Sequence, residues 1–129
     1  TSLIAEQQYD IYATRQLRLV IEADVDGQCE VVGAIDILDF DPQNRRAGVG
    51  VIVSPEYRRR GFAADALRCV ERYAREVLML HQLWCSVAED NKVSLALFDG
   101  ASYERCGVRR DWILTPTSAI SEILFQKIL

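Results

Sequence analysis

Three consecutive arginines followed by a glycine form the segment of this sequence best suited to chemistry. The segment Arg58-Arg59-Arg60-Gly61 follows a short apolar run, Val51–Val53, and precedes a stretch with helical periodicity. The first turn of a helix carries unpaired N–H groups and a partial positive charge, and a glycine lets a ligand approach the backbone closely. This arrangement predicts a binding site for a phosphate or pyrophosphate. The segment matches neither the Walker A motif nor the Rossmann glycine pattern.

A purely structural interpretation of the same segment is that Gly61 shapes a turn and the three arginines are solvated. An isolated arginine–glycine motif would favour that interpretation. Here a strand precedes the loop and a helix follows it, which is the context that phosphate binding requires. The sequence therefore favours an anion site.

Length and composition exclude several classes of protein. A chain of 129 residues forms one domain, 1–129. The net charge of −4 argues against a nucleic-acid binder, and no apolar run approaches the roughly 18 residues of a membrane span. One histidine and four widely spaced cysteines argue against a zinc site, so no metal is expected. Reduced cysteines and the lack of a signal peptide favour the cytoplasm.

Hydrophobic periodicity predicts the elements that carry the loop. Alternating apolar residues predict strands, and spacings of three and four predict helices. The predicted strands are Arg15–Ala23, Glu30–Phe40, Ala47–Val53, Gln82–Ala88, Gly107–Leu114 and Ser121–Ile128. The predicted helices are Gly61–Leu80, with an ion pair between Glu71 and Arg75, and a shorter one from Asn91 to Asp99 that stops at Gly100. Leu3 to Tyr12 is interpreted as the end of a further helix.

The order β-β-β-α-β-α-β-β predicts an α+β fold with a mixed, mainly antiparallel sheet and packed helices.

From Asn44 to Tyr103 the ordered motifs resemble the GNAT superfamily of acetyl-CoA-dependent N-acetyltransferases. The resemblance is strongest to the branch of bacterial ribosomal-protein alanine acetyltransferases and spermidine acetyltransferases. The motifs are Asn44-Arg45-Arg46-Ala47, Val51–Tyr57, Arg58-x-x-Gly61-x-Ala63, Leu80–Leu83, and Asn91 followed by Leu97-Phe98. Compared with that family, the chain lacks an initiator Met, a first strand and N-terminal helices, as a fragment or trimmed product would.

The resemblance implies acetyl-CoA as co-substrate and gives each matched position a role. The main chain of Val51, Ile52 and Val53 would pair with the pantetheine arm, while their side chains stay in the core. The backbone amides that would cradle the pyrophosphate belong to Arg58, Arg59, Arg60, Gly61, Phe62, Ala63 and Ala64. Asn91 and Ser94 would lie near the cofactor at the start of the next helix. For Asn91, a plain helix N-cap is an equally good interpretation.

The implied reaction is direct attack of a neutral primary amine on the thioester, the amine belonging to a polyamine or a peptide N-terminus. Two positions depart from the family pattern. Phe98 stands where many relatives carry a tyrosine acid, and Gly48 stands where spermidine-type relatives carry a glutamate. The catalytic residues therefore stay unassigned.

Other side chains are weaker candidates for chemistry. Alternatives for the missing acid and base are Tyr57, Ser86 and Tyr103, without support for any one of them. A structural role is favoured for His81, at a predicted helix-to-strand turn. The tryptophans Trp84 and Trp112 are expected to pack rather than to bind substrate.

Two other functions stay open. One is a non-catalytic acyl-CoA-binding or regulatory domain, motivated by Phe98 and Gly48. The other is an interaction module of the same fold, in which Gly61 is structural and the last strands form a homodimer. A homodimer is also compatible with the enzyme.

Overall fold

The computed structural model describes residues 2–5 and 10–129. The strands are β1 Ser2–Ala5, β2 Leu17–Val25, β3 Gln28–Asp41, β4 Arg46–Val53, β5 Gln82–Ala88, β6 Glu104–Leu114 and β7 Ala119–Ile128. The helices are α1 Ile11–Thr14, α2 Phe62–Glu76 and α3 Lys92–Gly100, and a 3-10 turn covers Pro55–Tyr57. Within the described residues no helix has the length and hydropathy needed to cross a membrane.

The described residues form one seven-stranded sheet, in the order β1-β2-β3-β4-β5-β7-β6. All neighbouring strands are antiparallel except β4 and β5, which are parallel. This arrangement confirms the predicted α+β class and the mixed, mainly antiparallel sheet.

The core lies on one face of this sheet, beneath α2 and α3. In β3, Ile35 and Ile37 are buried there, as the period of two predicts, whereas in β4 three consecutive residues, Ala47–Val49, are buried. The buried core includes Ile35, Ile37, Ala47, Val49, Leu83 and Phe125 from the sheet, and Leu67, Val70, Leu95 and Phe98 from the helices. No helix among the described residues packs on the opposite face, which we call the open face.

Strands β4 and β5 form a fork. They pair only from Arg46–Gln82 to Gly48–Trp84, while β4 stays paired with β3 as far as Val53. Beyond Gly48, the edge of β4 that faces β5 therefore has no strand partner within the described part of the chain. The fork leaves main-chain donors and acceptors available to a ligand.

The N-terminal prediction needs correction. Ser2–Ala5 is a strand paired antiparallel with β2, not part of a helix, so a first strand is present. Among the described residues of this region, the helix is one turn, Ile11–Thr14, capped by the Asp10 side chain, which accepts a hydrogen bond from the Tyr12 N–H. Tyr9, an apolar position of the predicted helix, lies outside the described residues.

The long helix is shorter and rotated relative to the prediction. It ends at Glu76. Cys69 and Val77 fit the helical spacing of apolar residues in the sequence, yet both are exposed. Glu71 is buried instead, and its partner is Lys127 at 3.1 Å rather than Arg75. This orientation of the helix places Glu71 against Lys127 on β7, a contact that no pattern within the helix reveals.

Candidate functional site

A cavity of about 580 Å³ opens beside the fork, between the end of β4 and the first turns of α2 and α3. It is lined by Val51, Ile52, Val53, Tyr57, Arg58, Arg59, Gly61, Phe62, Ala63, Ala64, Asn91, Val93, Ser94, Ala96 and Leu97. Two segments of the chain, residues 51–64 and 91–97, therefore meet in one concave surface.

Of the twelve residues predicted to bind a cofactor, all except Arg60 line this cavity. Arg60 is exposed. The expectation that all three side chains of the apolar run are core is wrong for Ile52, which is 67% exposed on the open face. Val51 and Val53 are half-buried and pack against the core, and because side chains alternate along β4, the side chain of Ile52 between them points outward.

The loop before α2 has the backbone conformation of an anion site. Gly61, the N-cap of α2, has φ +82° and supplies no side-chain cap to the helix. The preceding Arg59 is also left-handed, with φ +66°. A left-handed non-glycine residue is strained, and such strain concentrates at ligand-binding sites. The uncapped first N–H groups of α2 therefore border the cavity, where they suit a phosphate.

Arg58 joins this loop to the strand before it. Its Nε donates a hydrogen bond to the Val53 carbonyl oxygen at 3.2 Å. The first arginine thus has a structural contact in addition to its charge. Arg58, Arg59 and Arg60 are all exposed, so their charges attract an anion from solvent without a large desolvation penalty.

Asn91 combines the two roles that the sequence left open. Its side-chain oxygen accepts a hydrogen bond from the Ser94 N–H at 3.2 Å, which caps α3, and both residues line the cavity. Four further residues line the cavity that were not among the predicted cofactor-binding residues, although Tyr57 was a candidate acid or base and Leu97 belongs to a matched motif: Tyr57, Val93, Ala96 and Leu97. The helical periodicity after Asn91 could have indicated Ala96 and Leu97, which follow one turn later on α3.

The two positions that depart from the family pattern have structural explanations. A Cβ at Gly48 would meet the Trp84 ring at 3.0 Å, so tryptophan occupies the space that a longer side chain would need. Phe98 is 3% exposed and packs edge-on against Tyr103 at 5.0 Å. Neither residue supplies an acid or a base.

A buried polar cluster joins α2 to β7 and to the segment between α3 and β6. Lys127 Nζ donates to Glu71 Oε1 at 3.1 Å and to the Ala101 carbonyl at 2.8 Å, and it lies 5.5 Å from the Tyr103 ring centroid. Among the described residues, neither Glu71 Oε2 nor the Tyr103 hydroxyl has a hydrogen-bond partner. The predicted acid candidate Tyr103 thus belongs to this cluster and not to the lining of the cavity beside the fork.

Alkaline pH should reveal the burial of Tyr103. Burial first, and the Glu71 carboxylate second, raise the pKa of Tyr103 far above its usual value of 10. In the unfolded chain this tyrosine ionises near pH 10, whereas in the native protein it stays protonated at that pH. The contribution of Tyr103 to the free energy of unfolding is therefore present below pH 10 and is lost as pH rises further. In an ultraviolet titration we expect one of the five tyrosines to ionise only on unfolding. The absorbance change that accompanies unfolding should be missing in Tyr103→Phe. Ionisation of all five tyrosines in the native protein would contradict the burial of Tyr103.

The remaining candidates have mostly structural surroundings. His81 lies at the turn between α2 and β5. Its main-chain N–H donates to the Arg45 carbonyl oxygen at 2.7 Å, and the His81 carbonyl oxygen accepts from the main-chain N–H of Leu129. Ser86 is half-buried on β5, two residues beyond Trp84. Trp112 differs from expectation because it is 59% exposed, with the Arg109 guanidinium 4.9 Å from its ring centroid.

The cysteines are free, and only Cys85 is buried. Burial raises the pKa of the Cys85 thiol to about 12, so it stays protonated. Within residues 2–5 and 10–129, no group of three or more His, Cys, Asp or Glu side chains is arranged to hold a metal ion.

Comparison with known proteins identifies relatives of this chain. Spermidine N(1)-acetyltransferase of Vibrio cholerae is 28% identical over 97 residues, which is 75% of this chain and 51% of that protein. The Escherichia coli K12 enzyme of the same name is 28% identical over 88 residues, 68% of this chain and 45% of the relative. The chain thus spans about half the length of these relatives.

Solved structures share the fold. An F149A mutant of the V. cholerae spermidine N-acetyltransferase SpeG superposes with a TM-score of 0.81 at 20% identity, covering 92% of this chain and 68% of that one. A structure described as dodecameric, of the V. cholerae spermidine N-acetyltransferase, gives a TM-score of 0.80 at 20% identity, with 92% and 67% covered.

The sequence profile of the acetyltransferase (GNAT) family matches residues 2–103. This match includes the fork, the loop before α2 and all of α3. The chain belongs to the acetyltransferase (GNAT) family.

Proposed function

We propose that this chain is the acetyl-CoA-binding part of an N-acetyltransferase that acts on a primary amine. The observation that carries the proposal is the cavity beside the fork, where the unpaired edge of β4 meets the uncapped start of α2. An extended polar chain with an anionic end fits these two features together. Family membership supports acetyl-CoA as that ligand.

Each part of the cavity has a proposed role. Main-chain groups of Val51 to Val53 hold the pantetheine arm, and the amides of the loop from Arg58 to Ala64 hold the pyrophosphate. Asn91 and Ser94 border the same ligand from α3. Acetyl-CoA supplies an activated acyl group with a thiolate leaving group, which needs less acid assistance than an alkoxide. A buried phenylalanine at position 98 is therefore compatible with turnover.

The acceptor is proposed to be a polyamine or a peptide N-terminus. Spermidine as the acceptor is supported by the V. cholerae and E. coli relatives, and the peptide N-terminus by the resemblance to ribosomal-protein acetyltransferases. A homo-oligomer is proposed from the dodecameric relative. A bacterial, cytoplasmic protein is supported by the bacterial relatives and the free cysteines.

Calorimetry followed by an assay for thiol release tests the proposal. We expect acetyl-CoA to bind with micromolar affinity, and free coenzyme A to be released when spermidine or a peptide with a free N-terminus is added. A folded chain that does not bind acetyl-CoA would contradict the proposed function. N-acetylated product identified by mass spectrometry distinguishes transfer from hydrolysis.

A non-catalytic acyl-CoA-binding domain is the second candidate function. The observation that favours it is the placement of Phe98 and Gly48, neither of which offers a proton donor or acceptor. This candidate predicts the same binding of acetyl-CoA but no thiol release with any amine, so the two measurements separate the functions.

A further inference from the structure

Exposed arginines continue from the loop before α2 along the helix itself. Six of the fifteen Lys and Arg residues of the chain lie between Arg58 and Arg75, and all six are exposed. Three of them precede the helix, and the other three, Arg68, Arg72 and Arg75, lie on it. We call these last three the arginine row. The chain as a whole has a net charge of −4, so this segment differs in charge from the rest of the molecule.

The arginine row occupies one face of α2. Its members are spaced by four and three residues, which places them within about 60° of arc on a helix with 3.6 residues per turn. Gly61 falls within the same arc, and Ala64 borders it. Ala64 lines both the cavity beside the fork and a second cavity, which Arg68 also lines. The row therefore leads from the proposed phosphate site along the outside of the helix.

Most of the row is too far from the loop to serve a phosphate held there. At about 1.5 Å per residue, Arg72 and Arg75 lie about 17 Å and 21 Å along the helix from Gly61. Charges exposed to solvent are screened over about 8 Å at physiological ionic strength. A nucleotide bound at the loop would thus gain little from these two arginines. An anionic partner that uses the whole row has to be larger than a nucleotide.

Contacts within the chain leave the row available. Arg68 pairs with Asp65, and Arg75 lies 3.9 Å from Glu76, but both pairs are exposed and contribute little. Arg72 has no ion-pair partner among the described residues. A guanidinium presents a planar set of donors that matches a carboxylate. The row thus suits carboxylates spaced along an acidic surface.

The position of the row indicates which acidic partner fits. The pantetheine arm occurs in two forms, in coenzyme A and attached through a phosphate to a serine of small acidic carrier proteins. In the second form, the protein lies at the phosphate end of the arm. That end is proposed to bind the loop from Arg58 to Ala64, where the row begins. A nucleic acid fits less well, because the chain is net negative and three arginines offer few phosphate contacts.

We propose that the arginine row docks an acidic carrier protein whose phosphopantetheine arm enters the cavity beside the fork. The inference rests on the proposed acetyltransferase function and adds a second acyl donor to acetyl-CoA. The amine nitrogen forms a bond to the acyl carbon, and the carbon–sulfur bond of the thioester breaks. The thiol of the carrier protein leaves as a thiolate and takes up the proton that the amine loses.

Acetyl transfer to spermidine from a bacterial acyl carrier protein, loaded with an acetylated phosphopantetheine arm, provides the first test. We expect Arg72→Glu to lower kcat/KM for this donor at least fivefold, while the Kd for acetyl-CoA changes less than twofold. Arg72→Lys keeps the charge and should retain most of the activity. Arg110→Glu, the same reversal at an exposed position of β6, should behave as wild type. Raising salt from about 50 mM to about 300 mM should slow wild type more than Arg72→Glu.

Binding of the carrier protein provides a second test that does not need turnover. Calorimetry should show that wild type binds the carrier with its phosphopantetheine arm, and that Arg72→Glu binds it at least fivefold more weakly. The inference is overturned if wild type uses acetyl-CoA but not the loaded carrier, or if Arg72→Glu and Arg110→Glu are equally active with it. Binding of an RNA duplex but not of the carrier would also overturn it. Failure of the proposed function looks different, because wild type would then transfer acetyl from neither donor.

Discussion

Gly61→Asp is expected to weaken acetyl-CoA binding by roughly a hundredfold or more, about 2.7 kcal/mol. Gly61 has φ +82°, a conformation that costs an L-residue roughly 1–2 kcal/mol. A Cβ at this position meets no atom within 4 Å, so the new carboxylate fits sterically and is placed beside the proposed pyrophosphate. Like charges in a binding site cost several kcal/mol. Calorimetric titration of acetyl-CoA measures the loss.

Gly27→Asp is the matched control for this prediction. Gly27 has φ +83°, and a Cβ there also meets no atom within 4 Å, but it lies in the turn between β2 and β3. The control therefore carries the same strain and the same charge change away from the cavity, and it should bind acetyl-CoA as wild type does. Equal binding by both variants would show that Gly61 only shapes the turn.

Lys127→Met is expected to reduce the free energy of unfolding by about 2–4 kcal/mol. Removing one partner of a buried ion pair typically costs about 3–5 kcal/mol, and the Lys127 side chain is 26% exposed, which lowers the expected loss. Glu71 Oε2 already has no partner among the described residues, so the substitution would leave both carboxylate oxygens unpaired. Urea unfolding measures the change, and a fall in Tm of roughly 10–15 °C should accompany it.

Two further variants test the cause of that loss. Glu71→Leu combined with Lys127→Met removes both charges and should recover most of the lost stability, because apolar residues of similar volume often replace a buried pair without loss. Arg68→Met breaks the exposed pair with Asp65 on the same helix and should cost less than about 1 kcal/mol. A double variant no more stable than Lys127→Met would indicate that packing, and not charge, explains the effect.

Local patterns in the sequence were sufficient to predict most of the fold and the anion-binding loop of the candidate site. The alternation from Leu17 to Ala23 depends only on neighbours along the chain, and the structure buries Leu19, Ile21 and Ala23 as expected. The loop from Arg58 to Ala64 is contiguous, so its strand–loop–helix context is visible without any tertiary contact. The same holds for Asn91, which caps the helix that begins at the next residue.

What the sequence could not determine depends on contacts between distant segments. The Glu71–Lys127 pair joins residues 56 apart, and the pairing of Asp36 with Gly50 depends on a register with a bulge after Leu38. At the fork, β5 pairs in parallel with β4 over only three residue pairs, while its other edge pairs with β7 from Gln82 to Ala88. Strand order and register are set by the packing of the whole sheet, since a shift of one residue would turn every side chain to the other face. The sequence alone therefore determined the loop that suits a phosphate. The tertiary structure decided which side chains of distant segments contact one another, because strand order and register depend on the packing of the whole sheet.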